Sequence, residues 1–144
     1  MAKQAKYTVY IVDDDDAVRD SLVELLEIEG FEPQGYASCE DFLDHFHPAG
    51  DACLLLDVQM PGMDGIELLE TLGQRPHHLP VIVMSGNEDT ITKTRALRAG
   101  AATFLDKPLN GGTGIRRAEI GHGNGIRAVE VGQNNRCLRI EIGL

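Results

Sequence analysis

The sequence predicts an α/β fold, a doubly wound five-stranded parallel sheet covered by helices on both faces. Three observations carry this. Short apolar, β-branched runs alternate with stretches of helical periodicity, the pattern of parallel strands joined by helical crossovers. Two runs, Cys53–Leu56 and Val81–Met84, are continuously apolar, as strands buried on both faces are. Each run stops at a polar residue, and in a parallel sheet those strand ends meet at one edge, where ligands bind.

Taken in order, Thr8–Val12 (TVYIV) is a β-branched strand that closes on Asp13 and Asp14. From Ala17 the spacing turns helical, with Val18, Leu22, Leu25 and Leu26 on one stripe, Asp15 or Asp16 as cap and Gly30 as stop. Phe31–Tyr36 contains Pro33 and Gly35, which place that strand at an edge. Ser38 to Asp41 reads as a capping box with Asp in the Glu position, and it opens a helix bearing Phe42, Leu43 and Phe46. The third strand, Ala52–Asp57, delivers one carboxylate at its tip. Pro61, Gly62 and Gly65 then turn the chain out of the sheet. A helix through Ile66, Leu68, Leu69 and Leu72 ends at Gly73, and the fourth strand runs from Pro80 to Met84 and ends in Ser85, Gly86 and Asn87. The next helix spans Glu88 to Ala99 and stops at Gly100. Thr103–Leu105 is the last strand, ending in Asp106, Lys107 and Pro108.

The 144 residues suffice for one domain with a real core. Residues 1–110 hold 8 Lys and Arg against 20 Asp and Glu, while residues 111–144 hold 5 against 3. The body is thus acidic at −12 and the tail weakly basic at +2, which argues against direct nucleic-acid binding, since that needs a basic footprint. No apolar run approaches the roughly 20 residues of a membrane span, and MAKQAKYTVYIV enters a strand pattern without a cleavage site, so no leader is expected. The expected location is the cytoplasm, where Cys39, Cys53 and Cys137 would be reduced. His45, His47, His77, His78 and His122 lack ligand spacing with the acids and are expected at the surface.

The strand ends bring Asp13, Asp14, Asp57, Ser85 and Lys107 together. At an effective dielectric of about 20, two carboxylates 4 Å apart repel by roughly 4 kcal/mol, so a cluster of three calls for a cation. Hard oxygen ligands around an open site suit Mg²⁺, which also accepts a phosphoryl oxygen. A carboxylate nucleophile, a cation site, a lysine and a hydroxyl are what acceptance of a phosphoryl group requires. Asp57 is the expected nucleophile, and the adjacent pair Asp13 and Asp14 is better placed to hold metal. Plainer readings exist for single residues: Asp57 as a turn former, Ser85 as a helix cap, Phe104 as core.

The segments IVDDDDAVRDSL, LLLDVQMPGMDG, PVIVMSG and AGAATFLDKP, in this order and at these intervals, resemble the receiver domain of two-component response regulators. The resemblance is nearest to the nitrogen-fixation and LuxR-type transcriptional regulator branch, and it covers Tyr7 to Leu109. It implies a flavodoxin-like sheet of order 2-1-3-4-5. It implies that Asp57 takes a phosphoryl group from a sensor histidine kinase, with Mg²⁺ held by Asp13, Asp14, Asp57 and the Gln59 carbonyl. Lys107, joined to Pro108 by a cis bond, would pair with the phosphoryl oxygens. Ser85 and Phe104 would be the switch that carries the change to the fourth helix, the last strand and the segment after that strand. Such a chain is a phosphorelay switch, which handles only its own phosphoryl group, and a homodimer through the fourth-helix and fifth-strand face is one expected output. A Mg²⁺-dependent phosphatase with an aspartyl intermediate uses similar groups, but the dehalogenase-type enzymes place a second Asp where Gln59 stands. A third reading is an interaction module with a vestigial or locked switch.

The resemblance fails after Leu109. An amphipathic fifth helix is expected there, but the chain continues Asn110-Gly-Gly-Thr-Gly, and each glycine opposes a helix by roughly 1 kcal/mol. The tail, 110–144, instead repeats every eleven residues from Gly114, Gly125 and Arg136, with alternating stretches that fit a two- or three-strand meander. An exposed strand edge there could pair with a second copy. A competing expectation is a frameshifted or truncated regulator lacking its DNA-binding module: one coding of residues 112–120, shifted by a base, reads Glu-Leu-Glu-Ser-Ala-Val-Arg-Arg-Ser, a good helix. The expected division is therefore a receiver over 1–109 and an atypical tail over 110–144.

Overall fold

A computed structural model of the chain describes residues 8–28, 30–46, 52–58, 65–75, 79–85, 90–101, 103–106, 116–119, 126–131 and 138–142, and for Ser85 and the strands after Ala101 it describes the backbone. The β-branched run Thr8–Val12 is β1, followed by helix α1 (Asp16–Ile28). Asp15 caps that helix, its Oδ1 accepting from the Ala17 N–H at 3.0 Å and the Val18 N–H at 3.2 Å. Gly30 ends it at φ 90°, a left-handed conformation that glycine adopts without strain. Strand β2 (Glu32–Tyr36) and helix α2 (Cys39–His45) come next, the helix opened by Ser38 Oγ accepting from the Asp41 N–H at 3.0 Å. The remaining units are β3 (Ala52–Asp57), α3 (Gly65–Gly73), β4 (Val81–Ser85), α4 (Thr90–Arg98) and β5 (Thr103–Asp106). Helix α4 begins at Thr90, and the expected start at Glu88 lies outside the described residues.

These five strands form one parallel sheet in the order β2-β1-β3-β4-β5, so the Pro- and Gly-bearing β2 does sit at an edge. Strand alternation divides the core in two. Tyr10, Val12, Leu54, Leu56, Val81 and Val83 face one way and pack with Phe42, Leu68, Leu69, Leu72 and Ala96 from α2, α3 and α4. Val9, Ile11, Cys53, Leu55, Ile82 and Met84 face the other way and pack with Leu22 and Leu26 of α1. Leu54, Leu55 and Leu56 are each at most 1 % exposed, and burying such a side chain is worth roughly 1.5–3 kcal/mol. Both described cysteines, Cys39 and Cys53, are buried, and Cys137 lies outside the described residues.

Gly65, expected as a turn former, is the buried first residue of α3. A Cβ there would stand 2.7 Å from Val58 Cγ1 and 2.8 Å from Val58 Cα, so glycine is required for close packing of helix on strand end.

Each unit of the tail repeat contributes one strand: β6 (Arg116–Glu119), β7 (Ile126–Val131) and β8 (Leu138–Ile142). They form an antiparallel sheet in the order β6-β7-β8, with an irregularity between Ile126 and Ala128. The alternating residues and Asn-rich joints account for a meander where a helix was expected. Strand β6 contacts β5, and β8 contacts α1. Among the described residues no helix is long and apolar enough to cross a membrane.

Candidate functional site

Strands β1 and β3 are neighbours, with Val12 opposite Leu56, so the residues just after that pair, Asp13 and Asp57, come side by side at the carboxyl edge. Both are buried, at 0 % and 1 % exposure, whereas Asp14 reaches solvent. One carboxylate oxygen from each of the three lies within 4.8 Å of the others. At an effective dielectric of about 20, two unit charges at that separation repel by roughly 3 kcal/mol, and the two buried carboxylates have little water to screen them. The donor set is three carboxylates, all hard oxygen, with one member open to solvent. That chemistry fits a hard divalent cation.

The loop bearing Asp13 is held on several sides. Its N–H donates to the Tyr36 carbonyl at 3.2 Å, extending the β1–β2 ladder by one residue. Its Oδ1 accepts the Asp15 N–H at 2.9 Å. Its carbonyl accepts from Arg19 Nη1 at 2.7 Å, and Nη2 of the same guanidinium is paired with Asp16. The third-strand tip is extended too, with the Val58 N–H donating to the Met84 carbonyl at 3.3 Å.

The remaining residues predicted for the site divide by what is described. Ser85 ends β4 opposite Asp106 and one step past Met84, which pairs with Asp57, so its backbone stands at the same edge. Phe104 lies in β5 opposite Val83. Gln59, Lys107 and Pro108 lie outside the described residues. His45 is at the surface as expected: its ring stacks on Tyr36 at a centroid distance of 6.4 Å. Its Nδ1 lies 2.8 Å from the Asp41 carbonyl, which raises its pKa above the ordinary imidazole value, helped by the charge of Asp41. The other four histidines lie outside the described residues.

Sequence reasoning missed Arg19 and Gly35. Arg19 reads as one more polar residue on the outer face of a helix, and Gly35 as a weakness in an edge strand. No local signal joins two residues that meet only after β2 has paired with β1.

A comparison with family patterns matches the response regulator receiver domain over residues 9–119, well over half of the chain. The chain belongs to that family. The match extends past the boundary expected at Leu109. This receiver is 45 % identical over 102 residues to the transcriptional regulatory protein FixJ of Azorhizobium caulinodans, covering 71 % of this chain and 48 % of that protein. It is 42 % identical over 106 residues to the C4-dicarboxylate transport transcriptional regulatory protein DctR of Rhodobacter capsulatus, covering 72 % of this chain and 54 % of the relative. The receiver thus spans about half the length of the curated relatives it matches. Among solved structures, the crystal structure of FixJ-N superimposes with a TM-score of 0.68 at 38 % identity, covering 75 % of this chain and 86 % of that one. The fold is the flavodoxin-like receiver fold, with a parallel sheet between helices. Receiver domains are phosphoacceptor switches in two-component signalling rather than turnover enzymes, they take their signal from histidine kinases, and they typically use Mg²⁺ at an acidic cluster of the kind formed here by Asp13, Asp14 and Asp57.

Proposed function

We propose that this receiver accepts a phosphoryl group on Asp57 from a phosphohistidine of a sensor histidine kinase and uses the modification to switch an output surface. The observation that carries the proposal is the pair of buried carboxylates, Asp13 and Asp57, at adjacent strand tips with Asp14 beside them at the solvent. In the transfer, an Asp57 carboxylate oxygen bonds to phosphorus as the P–N bond breaks, and the leaving imidazole nitrogen keeps the electron pair. Asp13, Asp14, Asp57 and the Gln59 carbonyl would hold Mg²⁺, which when bound neutralises the clustered acids and the charge on the phosphoryl oxygens. Lys107 is assigned to the phosphoryl oxygens, and Ser85 and Phe104 to the switch.

The output assigned to this switch is the face made by α4 and β5. Ile91 and Leu97 of α4 are 76 % and 44 % exposed, which supports a homodimer through that face. We assign residues 1–109 to the receiver and 110–144 to a distinct tail, whose β6 and β8 lie against β5 and α1. A turnover phosphatase is not proposed, because Gln59 stands where such an enzyme places its second carboxylate.

Amide NMR with Mg²⁺ and a beryllofluoride analogue of the phosphoryl group tests the switch. Shifts are expected to spread from Asp57 through Ser85 to Phe104 and into α4. Shifts confined to the acidic cluster would mean a site that binds but does not switch.

A further inference from the structure

We infer that Arg19 is a positioning residue for the Mg²⁺ site, and that Gly35 is a glycine in order to give it room. The inference rests on the Mg²⁺ site proposed above. Arg19 lies on α1, six residues past Asp13, yet its Nη1 donates to the Asp13 carbonyl at 2.7 Å while Nη2 pairs with Asp16. A planar guanidinium can serve both acceptors at once, which a lysine ammonium on its flexible stem does less well. The side chain is only 17 % exposed, so it is held in place and not simply solvated. Its stem crosses edge strand β2 at Gly35, where an added Cβ would stand 3.0 Å from both Cγ and Cδ of Arg19. Few Cβ contacts in proteins are that close, so a methyl group at Gly35 pushes the arginine off its course.

The consequence concerns Asp13. Its carbonyl is fixed by Arg19, its N–H by Tyr36 and its Oδ1 by the Asp15 N–H, and together these set the direction in which the carboxylate faces Asp57. Groups that orient a metal-binding residue from behind typically change metal affinity by about 10–100-fold when removed.

Charge and positioning predict opposite signs. Arg19 is a cation beside an anionic site, so if only its charge mattered, Arg19→Ala would tighten Mg²⁺ binding. If it positions Asp13, the same substitution weakens binding despite the gain in negative charge. Gly35→Ala leaves the charge unchanged and displaces the arginine, so it weakens binding in the same direction. The two effects overlap, because both act through one side chain.

The experiment is a titration of the 144-residue chain with Mg²⁺, followed by amide shifts near Asp13 and Asp57, for the unsubstituted chain, Arg19→Ala, Gly35→Ala and the double variant. Thermal unfolding without metal is recorded alongside to confirm that each variant is folded at the titration temperature. The expected result is a Kd about ten-fold higher for Arg19→Ala, a smaller rise for Gly35→Ala, and a double variant no weaker than Arg19→Ala alone. An unchanged or lower Kd for Arg19→Ala overturns the inference while leaving the Mg²⁺ site standing, as does an effect of Gly35→Ala that simply adds to it. An unsubstituted chain that binds no Mg²⁺ overturns the site itself.

Discussion

Gly65 presses on the backbone of Val58 so closely that a methyl group at position 65 would lie 2.8 Å from the Val58 Cα. Val58 is the residue after Asp57, and the contact ties the start of α3 to the end of the strand that carries Asp57.

Gly65→Ala should therefore destabilise the fold by about 1–3 kcal/mol, the usual range for overpacking a close contact. Urea unfolding reads this directly. A midpoint equal to that of the unsubstituted chain would show that the helix start gives way without cost.

Asp57→Asn removes one of two buried, mutually repelling carboxylates. In the absence of divalent metal it should raise stability, by about 1–3 kcal/mol at most given the repulsion at this separation. Mg²⁺ should stabilise the unsubstituted protein more than the variant, by linkage to binding. Thermal unfolding with and without Mg²⁺ compares all four conditions, and a less stable Asp57→Asn protein without metal would contradict the electrostatic reading.

Phe42 is fully buried between Tyr10 and Tyr36, with ring centroids 5.5 and 5.4 Å away in edge-to-face arrangements, and stacks on Phe46 at 4.9 Å. Phe42→Ala should cost about 3–5 kcal/mol, since the cavity cannot collapse while three other rings frame it. The measurement is again chemical denaturation, and a loss below about 1 kcal/mol would mean that the cluster repacks.

Burial pushes the Tyr10 phenol above its ordinary value of 10.0, with the charges of Tyr36 and Glu32 adding to the effect. The folded state thus keeps this proton when the unfolded chain has lost it. The resulting stability is fully present below pH 10.0 and disappears as pH rises through the higher folded-state value. Tyr10→Phe should flatten the alkaline fall in stability, and an identical fall in the variant would assign it to other groups.

Much of this arrangement was legible in the sequence because its signals are local. Thr8–Val12 and Ala52–Asp57 carry β-branched or continuously apolar runs that end at charges, so both the strands and the acids at their tips could be placed from spacing alone. Asp15, Ser38, Gly30 and Gly100 act within a single turn, and the helix ends could be read from them. Gly65 was misread because a glycine needed for close approach looks the same in sequence as one needed for a turn. Arg19 and Gly35 were missed because their relation exists only across α1 and β2. In the tail, the alternation in each repeat unit pointed to strands, while the position of the meander beside β5 and α1 depends on tertiary contacts that no local pattern encodes.

Intact-protein mass measurement after incubation with Mg²⁺ and acetyl phosphate tests the central claim most directly. The unsubstituted chain should gain the mass of one phosphoryl group, lose it on treatment with hydroxylamine, and fail to gain it without Mg²⁺ or as Asp57→Asn. An equal gain in Asp57→Asn, or none in the unsubstituted chain with Mg²⁺ bound, would contradict the account.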